Sequence, residues 1–335
     1  MNFRNLVSEN PTTLTISPTH KCTAACYNCC VSCSPNIKHI MPFKRIRSHI
    51  DEALQTYPSI KIVVLTGGEC FLLGKDLERV IKYIHKKSRL SRVVTNAYWA
   101  KDYISAVKKL SALKTAGLTE LNVSTGDNHQ QFIPFQYVAN AIEAAVFLNI
   151  SSVVIAIEAH PNSKFTRANI EQIDKLKKCI EEKKITIIEG AWMNFVNNGN
   201  NIPTDRICKD VISGRCEYLF HGITINPYSQ MLACCGLTVE YNPYLKLGDL
   251  TRNTLKDLHE KQFEDLFKLW LYVDGPKHIY DYIQKKKKSV PEKFPHKCAY
   301  CMEIIKNEEN ISILKANIKS EIPNILSRIN LLKAL

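Results

Sequence analysis

The chain has 335 residues, 45% of them apolar, and a formal net charge of +13. That length allows one large domain or two of ordinary size around a real core. Its most apolar stretch, Ala141 to Ala159, contains Glu143, Asn149 and Glu158, so it reads as a helix end followed by a strand and not as a membrane span. The amino terminus has no apolar run of the kind that secretion requires, and the chain reads as cytoplasmic. In a reducing compartment, thirteen cysteines speak for metal and redox chemistry over disulfides. Much of the positive excess is dispersed Lys on presumptive helix faces that also carry Glu. The one dense block, Lys285 to Lys288, reads as a solvated loop. The charge points to an acidic peptide or leader segment ahead of nucleic acid.

In chain order, β-branched runs appear at Thr13–Ser17, Lys61–Thr66, Arg92–Thr95, Glu120–Ser124, Val153–Ile157 and Ile185–Glu189. Amphipathic stretches separate them at Arg45–Thr56, Leu77–Lys87, Asp102–Ala116, Pro134–Leu148 and Asn169–Lys183. Strands alternating with helices predict a parallel sheet, because parallel neighbours need crossover connections. A polar cluster follows each of the first four strands. These are the cysteine run from Cys22, then T-G-G-E (Thr66 to Glu69), T-N-A (Thr95 to Ala97) and S-T-G-D (Ser124 to Asp127). Glu158 follows the fifth strand, and His129 lies just past the fourth cluster as a candidate substrate contact or a hydrogen-bonded structural residue.

Cys22, Cys26 and Cys29, in C-T-A-A-C-Y-N-C, put three thiolates on one short loop. Three thiolates can hold three corners of a [4Fe–4S] cluster and leave one iron open, where the amino and carboxylate groups of S-adenosylmethionine (SAM) can bind. The competing reading is a zinc knuckle or a redox dithiol, which normally shows paired or lone C-x2-C. Gly67 and Gly68 give the backbone room to approach a ligand, and Glu69 offers an acceptor for an ammonium.

The C-x3-C-Φ-x-C pattern, in register with the G-G-E turn, resembles the radical SAM superfamily. That resemblance implies a partial (β/α)6 TIM-like barrel over residues 10–190, with chemistry at the carboxyl ends of its strands. It also implies that Tyr27 lies against adenine, that the G-G-E turn holds the methionyl amino group, and that Asn96, Ser124 and Asp127 contact methionyl or ribose groups. Glu158 is a candidate SAM or substrate contact. Ala97 replaces the glycine usual in the family's third-strand motif, which puts close backbone approach there in question.

Past Gly190 the alternation stops and six more cysteines follow: Cys208, Cys216, Cys234, Cys235, Cys298 and Cys301. A hairpin is expected at Ile223–Asn226 and Gln230–Ala233, joined by P-Y-S where the family usually has a glycine. This region, 191–305, resembles a twitch/SPASM-like iron–sulfur extension, with a closing helix over 306–335. Cys216, Cys234, Cys298 and Cys301 make one four-thiolate set for an auxiliary [4Fe–4S] cluster, and a structural zinc has the same ligand chemistry. Cys179 and Cys70 read as packing residues, and Cys30 and Cys33 as neighbours of the first cluster.

Radical SAM enzymes with such an extension usually modify peptides. Within them the chain looks most like the epipeptide-type epimerases, through Cys29–Cys30, the N-A-Y-W segment from Asn96, the C-C pair of the hairpin and the closing C-x2-C. The resemblance implies conversion of L residues to D in a ribosomal precursor, with Cys235 as hydrogen-atom donor and an electron donor such as flavodoxin or ferredoxin. The alternatives are an oxidative peptide crosslink, thioether or carbon–carbon, and more distantly a non-catalytic metal-binding nucleic-acid module. With the cysteine loop so early in the chain, leader recognition is expected from the barrel, the extension or a separate protein.

Overall fold

A computed structural model describes residues 3–7, 10–158, 162–190, 213–294 and 296–334. The chain divides into two compact units. One comprises Thr12–Asn197 with Ile225–Tyr228; the other comprises Met1–Pro11, Asn198–Thr224 and Ser229–Leu335.

The first unit alternates strand and helix. In order these are β1 (Thr13–Ile16), α1 (Phe43–Thr56), β2 (Ile62–Leu65), α2 (Lys75–Lys86), β3 (Leu90–Thr95) and α3 (Tyr103–Ala116). Then come β4 (Glu120–Thr125), α4 (Phe135–Phe147), β5 (Ser152–Glu158), α5 (Arg167–Glu171), α6 (Asp174–Glu181) and β6 (Thr186–Gly190). The strands pair in parallel and in sequence order, as the alternation requires. Local chemistry sets the helices. Ile46, His49, Ile50 and Ala53 put the buried face of α1 at helical spacing. The Asp102 carboxylate caps α3 by accepting from Ser105 N at 2.8 Å, and Gly117 ends it at φ 105°. The stretch expected as one helix over Asn169–Lys183 is two, because Ile173 takes an extended conformation between α5 and α6.

Register positions the chemistry. Ile16 pairs with Leu65, Thr95 with Val123 and Thr125 with Ile157. The carboxyl ends of β1 to β5 therefore share one edge, and every polar cluster read from the sequence sits there. The architecture is the α/β partial barrel expected.

In the later part of the chain, β7 (Gly222–Ile225) and β8 (Gln230–Leu232) are hairpin neighbours, and β9 (Lys246–Asp249) pairs antiparallel with β8. The turn lacks glycine, and Ser229 takes the left-handed conformation at φ 60° while the Asn226 side chain accepts from Tyr228 N at 3.0 Å. Five helices follow: α7 (Leu255–Lys261), α8 (Leu266–Lys287), α9 (Lys297–Lys306), α10 (Glu308–Asn317) and α11 (Ile322–Ala334). The tail read as one closing helix is thus two. Helix α8 breaks at Gly275, where a Cβ would fall 1.8 Å from the Gly214 carbonyl oxygen and Pro276 follows. The lysine block is not a solvated loop. Lys285, Lys286 and Lys287 form the last turn of α8, where cations face the negative end of the helix, and Lys287 pairs with Glu309 at 2.8 Å. Among the described residues no helix is long and apolar enough to cross a membrane.

Candidate active site

The loop after β1 closes on itself, with Cys22 N donating to Ser34 O at 3.1 Å and Ser34 N to His20 O at 3.3 Å. Inside it Cys22 and Cys33 are buried, and Cys26 and Cys29 pack against them. Burial, reinforced by the neighbouring thiols, pushes Cys26 up to about 12. Burial likewise raises Cys22, to about 11. Hydrogen bonds from Cys33 pull Cys29 down to about 6 against the burial that opposes them. A set of crowded sulfur donors suits soft iron–sulfur ligation. Among the described residues no three His, Cys, Asp or Glu groups are drawn around a single metal-ion position. A four-iron cluster spreads its ligands over a cube and does not need that convergence.

The G-G-E turn after β2 is built against this loop. Gly67 has φ 112°, and a Cβ on it would fall 2.3 Å from Ser17 Oγ. Gly68 N donates to Thr19 O at 2.7 Å and Glu69 N to Lys21 O at 2.9 Å. The room that these glycines leave is filled by the segment leading to Cys22. Glu69 is wholly buried. Its carboxylate accepts from Phe71 N at 3.0 Å, Thr95 Oγ1 at 2.8 Å and Asn96 N at 2.8 Å, while burial lifts it to about 7. Asn96 Nδ2 reaches Thr23 Oγ1 at 3.1 Å and Cys22 Sγ at 3.5 Å, so β3 and the cysteine loop are tied directly. Ala97 adopts φ 65°, the conformation that a glycine would take more readily. Ser124 is buried near the end of β4, whereas Tyr27 is 64% exposed.

Asp127 and Glu158 spend their oxygens inside the fold. Asp127 accepts the backbone amides of Lys164 at 2.8 Å and Phe165 at 2.9 Å, clamping the segment after β5. Glu158 is fully buried and accepts from Asn28 Nδ2 at 2.5 Å and from the backbone amide of Asn128, with His129 Nδ1 at 3.5 Å. Burial works against its charge, yet hydrogen bonds from His129, Asn128 and Asn28 hold it below the usual carboxylate range. Gly126 makes the space, since a Cβ there would lie 1.9 Å from Glu158 Cγ. His129 therefore serves the Glu158 network.

In the other unit, Cys216, Cys234, Cys298 and Cys301 line one recess of about 410 Å³, part of it open to solvent. Cys298 and Cys301 come from the first turns of α9, which His296 caps by accepting from Cys298 N at 3.0 Å. Gly236 keeps the recess open, because a Cβ there would sit 3.1 Å from Cys298 Sγ and 3.4 Å from Cys234 Sγ. Burial raises all four thiols, Cys298 to about 12. A sulfur-lined cradle that a methyl group would fill fits a cluster or a zinc ion equally in donor chemistry. Cys235, beside it in sequence, is exposed. Cys208 lies outside the described residues.

No family model matches the chain. Among curated proteins it is 20% identical over 305 residues to the "Putative peptide biosynthesis protein YydG" of Bacillus subtilis (strain 168), covering 90% of this chain and 94% of that protein. Among solved structures it matches native anSMEcpe with bound AdoMet, with a TM-score of 0.53 and 15% identity, over 92% of this chain and 99% of the other. It matches native anSMEcpe with bound AdoMet and Cp18Cys peptide with a TM-score of 0.52 and 15% identity, over 94% and 99%. These likenesses show the fold that the chain shares with those proteins. Its cysteine loop, its G-G-E turn and Asn96 are joined by hydrogen bonds at one sheet edge. The sequence alone missed Asn28, the residue between Tyr27 and Cys29, and the cap at His296.

Proposed function

We propose that this chain is a radical SAM enzyme that epimerises L residues to D in a ribosomally made peptide. Cys22, Cys26 and Cys29 would hold the SAM-binding [4Fe–4S] cluster, and Cys216, Cys234, Cys298 and Cys301 an auxiliary one in a twitch/SPASM-like region. Glu69, Asn96, Ser124 and Tyr27 form the proposed SAM-facing set, with Gly67 and Gly68 seating the G-G-E turn against residues 17–21. When bound, these groups supply the one-electron chemistry that removes a hydrogen atom from a peptide Cα. Support for a peptide substrate comes from the curated relative's name and from the peptide complex of anSMEcpe.

The observation that carries the epimerase reading is Cys235, an exposed thiol adjacent to one of four sulfurs lining a recess. A Cα radical is planar, and inversion needs a hydrogen atom on its opposite face. The Cys235 S–H bond would break as the new C–H bond forms. The thiyl left behind needs one electron, from a donor such as flavodoxin or ferredoxin, and one proton from solvent. The expected experiment is turnover in heavy water. An epimerase puts deuterium at each inverted Cα and yields a D residue, and Cys235→Ala still abstracts hydrogen but fails to invert. A product lighter by two hydrogen atoms and free of new deuterium means a crosslinking oxidase instead.

A further inference from the structure

Between α2 and α3 lies a groove of about 940 Å³, part of it open to solvent, that neither cysteine group lines. Its size is on the scale of ligand pockets. Lys75 enters it from the start of α2, and Lys108 and Lys109 from α3, against one acid, Glu78. The three lysines are exposed and, among the described residues, none of them is held in an ion pair. Elsewhere in the same unit exposed lysines are spent on acids, as Lys87 on Asp51 and Lys184 on Glu182, each at 2.7 Å. Three cations in one concavity reinforce each other's field, because its low-dielectric walls focus it. Helix α2 adds to that field. It starts at Gly74, another groove residue, with no side-chain cap, so its positive end opens on the same space.

Trp99 supplies an aromatic wall. Its ring stacks on Phe71 with centroids 4.2 Å apart, and its Nε1 donates to Thr95 Oγ1 at 3.0 Å. Thr95 Oγ1 donates in turn to Glu69 at 2.8 Å. Trp99 is therefore joined through Thr95 to the buried carboxylate of the G-G-E turn. The groove starts beside the sheet edge that carries the chemistry.

We propose that this groove docks an acidic stretch of the peptide substrate, outside the segment that reacts: Lys75, Lys108 and Lys109 pair with its carboxylates, and Trp99 packs against an apolar side chain among them. The inference rests on the reading of the substrate as a peptide. Glu78 favours a peptide over a nucleic acid, because a peptide brings backbone N–H donors that a carboxylate can accept, whereas a phosphate chain brings only like charge. Each exposed pair contributes little alone, so docking needs the three lysines together and weakens with salt.

The test uses the full chain, reconstituted anaerobically, and an end-labelled Glu-Glu-Phe-Glu-Glu peptide followed by fluorescence anisotropy. Lys108→Glu/Lys109→Glu should weaken binding of this probe about tenfold or more, with 5′-deoxyadenosine formation in the absence of peptide unchanged. Lys177→Glu/Lys178→Glu makes the same change of charge at exposed positions of α6 and should weaken it less than about twofold. The probe should also alter tryptophan emission in the wild-type chain. Trp99→Phe, which keeps the ring stack on Phe71, should bind the probe without that change. Absence of probe binding by the wild-type chain would overturn the proposal, as would equal losses in the two lysine-pair variants or an emission change that persists in Trp99→Phe. A single-stranded oligonucleotide that binds more tightly than the probe, and is released by the same Lys108/Lys109 change, would also overturn it by assigning the groove to nucleic acid. Turnover in heavy water tests the peptide reading separately. Peptide product from a chain whose groove binds no probe overturns the groove alone, whereas a chain that modifies no peptide overturns the reading beneath it.

Discussion

Gly68 and Lys21 approach so closely that a Cβ on the glycine would fall 2.0 Å from the lysine carbonyl oxygen. The contact is backbone to backbone, next to the pair of hydrogen bonds joining 68–69 to 19–21. No side-chain rotation relieves it. Gly68→Ala should therefore force the G-G-E turn away from the cysteine loop at a cost of about 3 kcal/mol, seen as a lowered unfolding midpoint. Iron bound at the first site should fall with it. An alanine variant with wild-type stability and iron would show that the two loops are not coupled.

Asp127 holds a loop. Because its two oxygens accept the amides of Lys164 and Phe165, Asp127→Ala should cost about 1 kcal/mol of stability and leave SAM affinity within twofold. Denaturant unfolding and SAM titration on the same preparation separate the two effects. A large loss of SAM affinity at unchanged stability would restore the ribose-contact role that the S-T-G-D motif suggests.

These contrasts mark what the sequence could show. β-branched runs separated by amphipathic stretches located the six parallel strands, the first five of which bury apolar residues while β6 buries none, and the cysteine spacing survives translation into space since Cys22, Cys26 and Cys29 share one loop. Partners distant in the chain were not legible. Asn28 and Glu158 are 130 residues apart, so no local pattern reveals that one buries its amide against the other. Gly67 and Gly68 were read as space for a ligand, yet the space is taken by residues 17–21, a packing relation that composition does not encode. The lysine block from Lys285 misled because charge density resembles a loop when the helix ahead of it breaks at Gly275 and Pro276.

Gly236 tests the second site without touching a thiol. An added methyl group would sit 3.1 Å from Cys298 Sγ, so that this sulfur must give by a few tenths of an ångström, and in contact with Cys234 Sγ at 3.4 Å. Gly236→Ala should lower the iron bound at the auxiliary site and leave SAM cleavage in the absence of peptide intact. Unchanged total iron, or zinc in its place, would contradict an auxiliary cluster there.

The most direct measurement is 5′-deoxyadenosine formation by anaerobically reconstituted, chemically reduced protein, compared between the wild-type chain and the Cys22→Ala/Cys26→Ala/Cys29→Ala variant. The wild-type protein should be brown and should cleave SAM reductively. The triple variant should lose one cluster's complement of iron, keep the auxiliary iron and form no 5′-deoxyadenosine. Undiminished cleavage in the triple variant, or a colourless wild-type protein inert towards SAM, would contradict the assignment of this loop as the catalytic cluster site.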